Sequence, residues 1–172
     1  ILASLESENI VACKGFFIED KRSYLILEYI DGNNLRVHVA NKGKVDEKTL
    51  LQLALKMCDI LALLHAKGII HRDFTPDNLI YCSDGALKLI DFAVATEDKG
   101  GLTGTIVGKH SYIPPEQFRG HAQITSDIYA LGATLFHLLS GKDPEPISVA
   151  SPKSENIACS EFLNSLIERC TK

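Results

Sequence analysis

The sequence has no long run of basic residues: the longest is the pair Lys21-Arg22, and the formal net charge of the 172 residues is −4. A protein that binds nucleic acid or an anionic membrane through charge usually carries a basic patch or stripe. We therefore expect neither partner for this chain. Any phosphate that it binds must be held by local geometry.

Cysteine pairs and membrane-length apolar runs are lacking too. No two cysteines have the C-x-x-C spacing, and several lie in apolar stretches, where a reduced cysteine behaves as a small hydrophobic residue. The longest apolar stretches are shorter than the roughly 20 residues that span a bilayer, and no signal peptide is present. We expect a cytoplasmic protein with no membrane segment in this chain, and any anchor would lie outside it.

An initiating methionine is missing as well, since the chain begins at Ile1 within an apolar pattern and closes at Lys172 without a helix-stop signal. We interpret the chain as a piece of a longer protein. Its length and its hydrophobic content of 45% suffice for one soluble domain with a sizeable core.

What is present centres on residues 69–92, which read IIHRDFTPDNLIYCSDGALKLIDF. Two short apolar strands flank a tight turn whose Asp-Gly pair, Asp84-Gly85, supplies the positive φ angles of a hairpin. Asp73, Asn78 and Asp91 bring two carboxylates and one carboxamide to this hairpin. Oxygen ligands of this kind suit Mg²⁺, and a further carboxylate can accept the proton of a hydroxyl group.

The spacing H-R-D-x-x-x-x-N at 71–78, followed by D-F-A at 91–93, resembles the catalytic loop and metal-binding tripeptide of eukaryotic-like (Hanks-type) Ser/Thr protein kinases. Two later stretches extend the resemblance in the same order. G-K-H-S-Y-I-P-P-E at 108–116 is similar to the end of a kinase activation segment, and S-D-I-Y-A-L-G at 126–132 to the start of the central helix. The stretches D-F-T-P-D-N-L at 73–79 and P-P-E-Q-F-R-G at 114–120 resemble those of bacterial members of the family.

The resemblance implies an α+β fold: a mainly α-helical kinase C-terminal lobe with hinge strands and a catalytic-loop β-hairpin, the N-terminal lobe being largely absent. Residues 1–34 would hold the end of helix C, strands 4 and 5 and the hinge. Residues 35–172 would form the C-terminal lobe, with the catalytic loop at 71–78 and the activation segment at 91–116. Apolar periodicity by itself predicts helices at 46–67, 128–139 and 161–170.

The resemblance also implies ATP and Mg²⁺ as cofactors and Ser/Thr side chains of proteins as substrates, while the oligomeric state stays unknown. Asp73 would orient the substrate hydroxyl, and Asn78 and Asp91 would hold the metal. Asp127 would tie the central helix to the catalytic loop, although a plain helix N-cap is an alternative for it. The implied nucleotide-binding residues are Leu27, Glu28, Ile30, Asn34 and Ile80, and the implied structural residues are His71, Phe92, Glu116 and Asp127.

Two further expectations concern the activation segment. Thr105 occupies the place of the activating phosphothreonine of many kinases, and Arg72 would be the partner of its phosphate. Kinases of this type usually have lysine two residues after the catalytic aspartate and threonine after the glycine of the later segment, whereas this chain has Thr75 and Lys109 there. We expect the two positions to be neighbours, with Lys109 supplying the cation and the Thr75 hydroxyl bonding Asp73.

The departures from the family pattern leave alternatives open. The 172 residues contain no G-x-G-x-x-G loop and no V-A-I-K-type lysine, and Ala93 stands where the metal-binding tripeptide usually has glycine. We expect the isolated chain to be poorly active or inactive. A pseudokinase or signalling scaffold is the main alternative, followed by a small-molecule phosphotransferase with a kinase-like lobe.

Overall fold

A computed structural model of the chain describes residues 1–2, 5–98 and 108–172. A β-rich N-terminal part precedes a helical body. The strands are β1 (Cys13–Glu19), β2 (Arg22–Leu27), β3 (Gly32–Asn34), β4 (Ile69–Ile70), β5 (Leu79–Cys82), β6 (Leu87–Leu89) and β7 (Thr96–Glu97). The helices are α1 (Leu35–Lys42), α2 (Glu47–Ala66), α3 (Pro115–Phe118), α4 (Ile124–Ser140) and α5 (Glu161–Cys170).

Strands β1 and β2 form an antiparallel hairpin of their own. Glu19 pairs with Arg22, so the turn consists of Asp20 and Lys21, and both have positive φ (49° and 61°). Two central residues with positive φ are typical of the tight turn that matches the twist of a β-hairpin. The resemblance implied two strands within residues 1–34, and β1 and β2 form a paired hairpin there.

The expectation that the N-terminal lobe is largely absent is wrong. The first 34 residues contain three strands, and two of them build a separate sheet ahead of the helical body. The glycine-rich loop and the lysine, whose absence led to that expectation, are only part of what an N-terminal lobe contains.

The second sheet, in the order β3-β5-β6, contains the β5–β6 hairpin. Asn34 pairs with Ile80, and Ile80 in turn with Lys88. Gly32 lies so close to β5 that an added Cβ would be 2.5 Å from the carbonyl oxygen of Tyr81, which leaves no room for a side chain. This close approach fixes the segment after β2 against the hairpin that carries Asn78.

Helices α1 and α2 begin at side-chain caps. Asn34 Oδ1 accepts the amide N–H of Val37 (2.8 Å), and Asp46 Oδ1 accepts that of Thr49 (3.1 Å). Helix α2 is long and apolar enough, by length and composition, to cross a membrane, a test that core helices of soluble proteins also pass. Its apolar stripe is buried: Leu50, Leu53, Ala54, Met57, Ile60, Leu61 and Leu64.

Helix α4 is the central element of the body, because most of its residues are buried. It begins at Ile124, four residues before the predicted start, since Gln123 and Ser126 form a reciprocal capping box there. Helices α2 and α5 pack against it. Helix α5 lies at Glu161–Cys170, as its apolar periodicity predicted, and Ser160 caps it.

The predicted activation segment, 91–116, contains short elements in its described parts. Strand β7 pairs with β4, and residues His110–Tyr112 form a 3₁₀ turn before α3. The pairing ties Thr96 to Ile70, directly before the H-R-D residues. Two-residue strands of this kind have too few residues for an alternating pattern to be visible in the sequence.

Candidate active site

Asp73 and Asn78 are joined directly within the catalytic loop. The Asn78 side-chain N–H₂ group donates to the backbone oxygen of Asp73 (2.9 Å) and to its carboxylate Oδ2 (2.7 Å). The other carboxylate oxygen, Oδ1, is buried and has no hydrogen-bond partner among the described residues. Burial raises the pKa of the Asp73 carboxyl, although the Asn78 hydrogen bond works against the rise. One oxygen is thus held in place, while the other keeps free lone pairs.

Asp127 of α4 anchors the 71–78 loop through hydrogen bonds. Its two carboxylate oxygens accept the backbone N–H groups of His71 and Arg72 (both 2.9 Å), and its Oδ2 also lies 2.9 Å from His65 Nε2. Asp127 is fully buried and is the fourth residue of α4, so it is not the N-cap, which is Gln123. His65 was not predicted from the sequence, because a histidine on a helix gives no signal of a partner 62 residues away.

His71 and Phe92 pack together rather than facing a substrate. Their rings meet edge to face at 5.1 Å, and the fully buried imidazole also lies against Phe74. Burial lowers the pKa of His71, so the neutral ring is favoured. Glu116 accepts a hydrogen bond from the Ser126 hydroxyl (2.8 Å), which links the end of the activation segment to the first turn of α4.

Asp91 is brought beside Asn78 by the hairpin, because the N–H of Ile90 donates to the Asn78 carbonyl oxygen (2.9 Å). Asp91 has a positive φ of 59°, and its Oδ1 accepts the N–H of Ala93 (3.0 Å). Aspartate tolerates this left-handed conformation better than most residues do. The turn leaves Asp91 exposed at the end of β6.

The donor set fits Mg²⁺. The side-chain N–H₂ group of Asn78 is committed to Asp73, so the side-chain oxygen Oδ1 of Asn78 is the atom left to face an ion. Asp91 adds a carboxylate. Mg²⁺ typically takes one or two carboxylates together with waters and substrate phosphates. No group of three or more His, Cys, Asp or Glu side chains in the described ranges could hold a metal by itself. The arrangement therefore favours an ion shared with a phosphate ligand.

Of the predicted nucleotide-binding residues, Leu27 lines a cavity beside Asp91. A cavity of about 340 Å³ is lined by Leu27 of β2 together with Asp91 and Phe92. The Glu28 carboxylate accepts the N–H of Ala12 (2.8 Å) and pairs with Lys88 (2.7 Å), and both contacts hold its pKa below the ordinary value. The Glu28 N–H is bonded to the Ala12 oxygen, so only its carbonyl remains to face a ligand.

The other residues predicted to contact the nucleotide are partly buried or already hydrogen-bonded within the chain. Ile80 is half-buried in β5 between Asn34 and Lys88, and Ile30 is half-buried before β3. The Asn34 side-chain oxygen caps α1, which leaves its N–H₂ group as the part available to a ribose hydroxyl.

The pair Thr75 and Lys109 is arranged differently from the prediction. The segment at Gly108 does lie against the catalytic loop, since an added Cβ there would be 3.1 Å from the Arg72 oxygen and 3.5 Å from Asp73 Oδ1. The Lys109 ammonium, however, pairs with Asp77 (2.6 Å), and the buried Thr75 hydroxyl has no hydrogen-bond partner among the described residues. A Thr75–Asp73 hydrogen bond is therefore not formed.

Thr105 lies outside the described residues. Arg72, the predicted phosphate partner, has a positive φ of 67°, and its Nε donates to the Val94 oxygen (2.5 Å). Its own carbonyl oxygen accepts the Gln117 side-chain N–H₂ group (2.7 Å). Burial lowers the pKa of Arg72.

An ionic cluster next to the catalytic loop was not foreseen. Arg36 of α1 contacts Asp77 (2.9 Å), Asp143 (3.0 Å) and the Tyr112 hydroxyl (3.0 Å), and that hydroxyl donates to Asp143 (2.6 Å). Its members come from four separate segments, so the sequence shows nothing that links them. We name the set Arg36, Asp77, Lys109, Tyr112 and Asp143 the Arg36 cluster.

Comparison with known proteins agrees with this geometry. The family model described as "Protein kinase domain" matches residues 1–170. The chain belongs to the protein kinase family. Because the match begins at residue 1 and takes in β1–β3, it also overturns the expectation that the N-terminal lobe is largely absent.

Similar proteins come from bacteria and eukaryotes. The chain is 33% identical to the probable serine/threonine-protein kinase PknB of Lactococcus lactis (83% of this chain, 23% of that protein). It is 36% identical to the MAP kinase kinase MKK1/SSP32 of Saccharomyces cerevisiae (82% and 29%) and 33% identical to the Aurora kinase of Dictyostelium discoideum (84% and 38%). The chain thus spans roughly a quarter to two fifths of these relatives, and the similarity is not confined to bacterial kinases.

Proposed function

We propose that the protein is an ATP- and Mg²⁺-dependent protein kinase that transfers the γ-phosphate to Ser or Thr hydroxyls of proteins. The observation that carries the proposal is the convergence of Asp73, Asn78 and Asp91 at one hairpin, with the Asn78 amide holding one oxygen of Asp73. Membership of the protein kinase family supports the same reaction.

The chain's own residues would act mainly by positioning, as phosphoryl transfer requires. Asp73 Oδ2 is fixed by Asn78, so its Oδ1 can accept the proton of a substrate hydroxyl. A pKa raised by burial suits this role, because a general base works best with a pKa nearer the working pH. Asn78 and Asp91 would hold Mg²⁺, which supplies charge neutralisation for the phosphates when bound.

Lys109 remains our candidate for the cation near the transferred phosphate. Its ammonium is on Asp77, four residues after Asp73, and its charge also acts to lower the pKa of Asp73. Lys109→Ala should reduce turnover by an amount equivalent to about 3 kcal/mol. The exchange Thr75→Lys with Lys109→Thr should restore part of it, and a double variant no better than Lys109→Ala would refute the idea.

The source and the cell compartment are proposals as well. We propose a bacterial kinase because of the stretches D-F-T-P-D-N-L and P-P-E-Q-F-R-G. We propose a cytoplasmic location because all five cysteines are free thiols. The genomic context of the gene would test the first point, and fractionation of the source cells the second.

The deciding experiment measures phosphate transfer by the complete protein product of the gene. Asp73→Asn should lower turnover by about 10²- to 10⁴-fold with ATP binding retained, whereas Asp91→Asn should weaken Mg·ATP binding as well. Asp59→Asn, an exposed aspartate on α2, is the matched control and should behave as the wild type. Wild-type turnover in Asp73→Asn would disprove the assignment.

The second candidate is a pseudokinase or scaffold, which the absence of G-x-G-x-x-G and V-A-I-K motifs from these 172 residues would support if the complete protein also lacks them. It predicts that the complete protein transfers no phosphate to any protein or peptide. The two candidates separate in a single assay with radiolabelled ATP and a mixed peptide library.

A further inference from the structure

Two acidic side chains, one within the 71–78 loop and one outside it, lie on the side of Lys109. Asp77 follows Asp73 by four residues, and Asp143 lies just after α4. Arg36 joins them, with its Nε 2.9 Å from Asp77 Oδ2 and one terminal nitrogen 3.0 Å from Asp143 Oδ1. A single guanidinium therefore bridges both carboxylates.

The charges of the Arg36 cluster balance. Arg36 and Lys109 supply two positive charges, and Asp77 and Asp143 supply two negative ones. His137 of α4 faces the cluster, with Nδ1 3.0 Å from Asp143 Oδ1 but without hydrogen-bond alignment. Burial and the nearby Arg36 lower the pKa of His137, so this imidazole adds no charge near neutral pH.

Arg36 is held firmly in this position. Burial opposes its charged form, but the hydrogen bonds to Asp77 and Asp143 outweigh that effect and raise its pKa. The pKa values of both carboxyl groups are lowered. Burial acts to raise them, but hydrogen bonds from Lys109 and Arg36 outweigh burial at Asp77, and hydrogen bonds from Tyr112 and Arg36 outweigh it at Asp143. A planar guanidinium suits this double contact because it can offer separate N–H groups to two acceptors.

The cluster is open to a polypeptide that reaches Asp73. The side chains of Asp143 and Lys109 are 41% and 49% exposed, and those of Arg36 and Asp77 are about a quarter exposed. Tyr112, whose hydroxyl completes the cluster, belongs to the segment that packs beside Asp73 at Gly108. A substrate chain whose hydroxyl reaches Asp73 must pass close to these groups.

We propose that Arg36 determines peptide specificity as an internal guanidinium that occupies the Asp77–Asp143 acidic pair, where a basic side chain of a substrate would otherwise bind. The inference rests on the proposed function, since it concerns the peptide side of the same site. It follows that the wild-type protein has no preference for arginine or lysine next to the acceptor residue. Removal of the Arg36 charge opens the acidic pair and creates that preference.

The experiment compares the binding of two fluorescein-labelled serine peptides that differ only in having arginine or glutamine on either side of the serine. Binding is measured by fluorescence anisotropy with the complete protein, and turnover of the same peptides is measured in parallel. The wild type should bind the two peptides within about twofold of each other. Arg36→Gln should bind the arginine peptide about tenfold more tightly than the glutamine peptide, the size expected for one new charge-assisted contact.

Three variants separate specificity from mere structure. Arg36→Lys keeps the positive charge and should keep the wild-type ratio, whereas Arg36→Gln combined with Asp143→Asn should lose most of the new preference. Arg169→Gln, an exposed arginine on α5, makes the same chemical change away from the site and should leave the ratio unchanged. A purely structural role for Arg36 would weaken both peptides equally and leave their ratio at the wild-type value.

Two results would overturn the inference: an unchanged ratio in folded Arg36→Gln, or a wild type that already prefers the arginine peptide more than about fivefold. If Arg36→Gln does not fold, Asp143→Asn alone decides. It should leave the ratio unchanged because that carboxylate is already neutralised, and a fall in arginine-peptide binding would contradict the proposal. Failure of the proposed function appears separately, as the absence of phosphate transfer in every variant whatever the binding ratios.

Discussion

The β1–β2 hairpin and helix α4 are both rich in apolar residues, yet they differ in what covers them. Every residue of β2 is exposed, and Phe16 and Ile18 of β1 are 67% and 65% exposed. In α4, by contrast, 14 residues are buried, and Phe136 is wholly inaccessible. Apolar composition alone therefore does not show where the stability of this chain resides.

The difference assigns separate tasks to the two regions. The helical body supplies the packed support on which the catalytic loop is fixed. The hairpin is attached through polar contacts at its base, where Ala12, Glu28 and Lys88 meet, and it borders the cavity beside Asp91. Several large apolar side chains of the hairpin, among them Phe16, Ile18 and Leu25, are thus more than half exposed.

The largest expected difference between the two regions is in the free energy of unfolding after the same substitution, phenylalanine to alanine, is made in each of them. Phe136→Ala should lower the free energy of unfolding by about 3 to 5 kcal/mol, because it leaves a cavity in α4. Phe16→Ala should change it by less than about 0.5 kcal/mol, since the ring is mostly in water already. Urea denaturation followed by circular dichroism measures both, and equal losses would show that the hairpin is packed as tightly as α4.

The second effect compares the polar anchors of the two regions. Asp127→Ala should cost about 3 kcal/mol, since it removes the acceptor from two backbone N–H groups of the catalytic loop. Glu28→Ala, at the base of the hairpin, should cost less than about 1 kcal/mol because its ion pair is partly solvated. Urea denaturation gives the loss of unfolding free energy for each variant. A larger loss for Glu28→Ala than for Asp127→Ala would show that the base of the hairpin is the stronger anchor.

A third effect depends on pH and belongs to the helical body, since β1 and β2 contain no histidine. Burial lowers the pKa of His71 and His137 below the ordinary 6.5, so the unfolded chain takes up protons that the folded chain does not. Their stabilisation is full above pH 6.5 and is lost as the pH falls toward the folded values. The slope should be about 1 kcal/mol per pH unit for each histidine.

Urea titrations at several pH values between neutrality and about pH 5 test this sign. His137→Gln should make the slope smaller, while His71 and His38, whose pKa values burial also lowers, keep the rest of it. A stability that rises on acidification would contradict the directions of both shifts.

The smallest effect concerns the one aromatic stack of the hairpin. Phe17 and Tyr24 stack at 4.8 Å with their planes 8° apart, across paired strand positions. Tyr24→Ser should cost about 0.5 to 1.5 kcal/mol and should speed hydrogen exchange in β1 and β2 only. If exchange also accelerates in α2 or α4, the hairpin and the body open together, and the two regions are less independent than their burial indicates.

Much of the fold followed from local patterns. Asp46 and Gly68 marked the ends of α2 through ordinary capping chemistry, and the Asp-Gly turn marked the β5–β6 hairpin. The early start of α4 was missed because Gln123 and Ser126 cap each other, a pairing that is weaker in sequence than an aspartate cap. The extent of the N-terminal part was misjudged because it was argued from motifs that are missing rather than from the strands that are present.

The site divides in the same way. Asp73, Asn78 and Asp91 stand at spacings set by one hairpin, so the sequence could bring them together. The partner of Lys109 was not predictable, because Asp77 competes for the ammonium and Arg36 reaches the same carboxylate from α1. Ionic clusters assembled from distant segments leave no periodic trace, and only the folded chain reveals them.

The anchor at Asp127 bears on the order in which the chain becomes functional during synthesis. The two amides that it holds come 55 and 56 residues earlier, so they leave the ribosome long before their acceptor does. Closing a contact over that separation waits for α4, and domains generally fold as units once their parts have been made. A nascent chain that stops short of residue 127 thus carries every group of the Asp73–Asn78–Asp91 set, but no scaffold to aim them. The place of Asp127 in the chain thus delays completion of the Asp73–Asn78–Asp91 arrangement until α4 has been made.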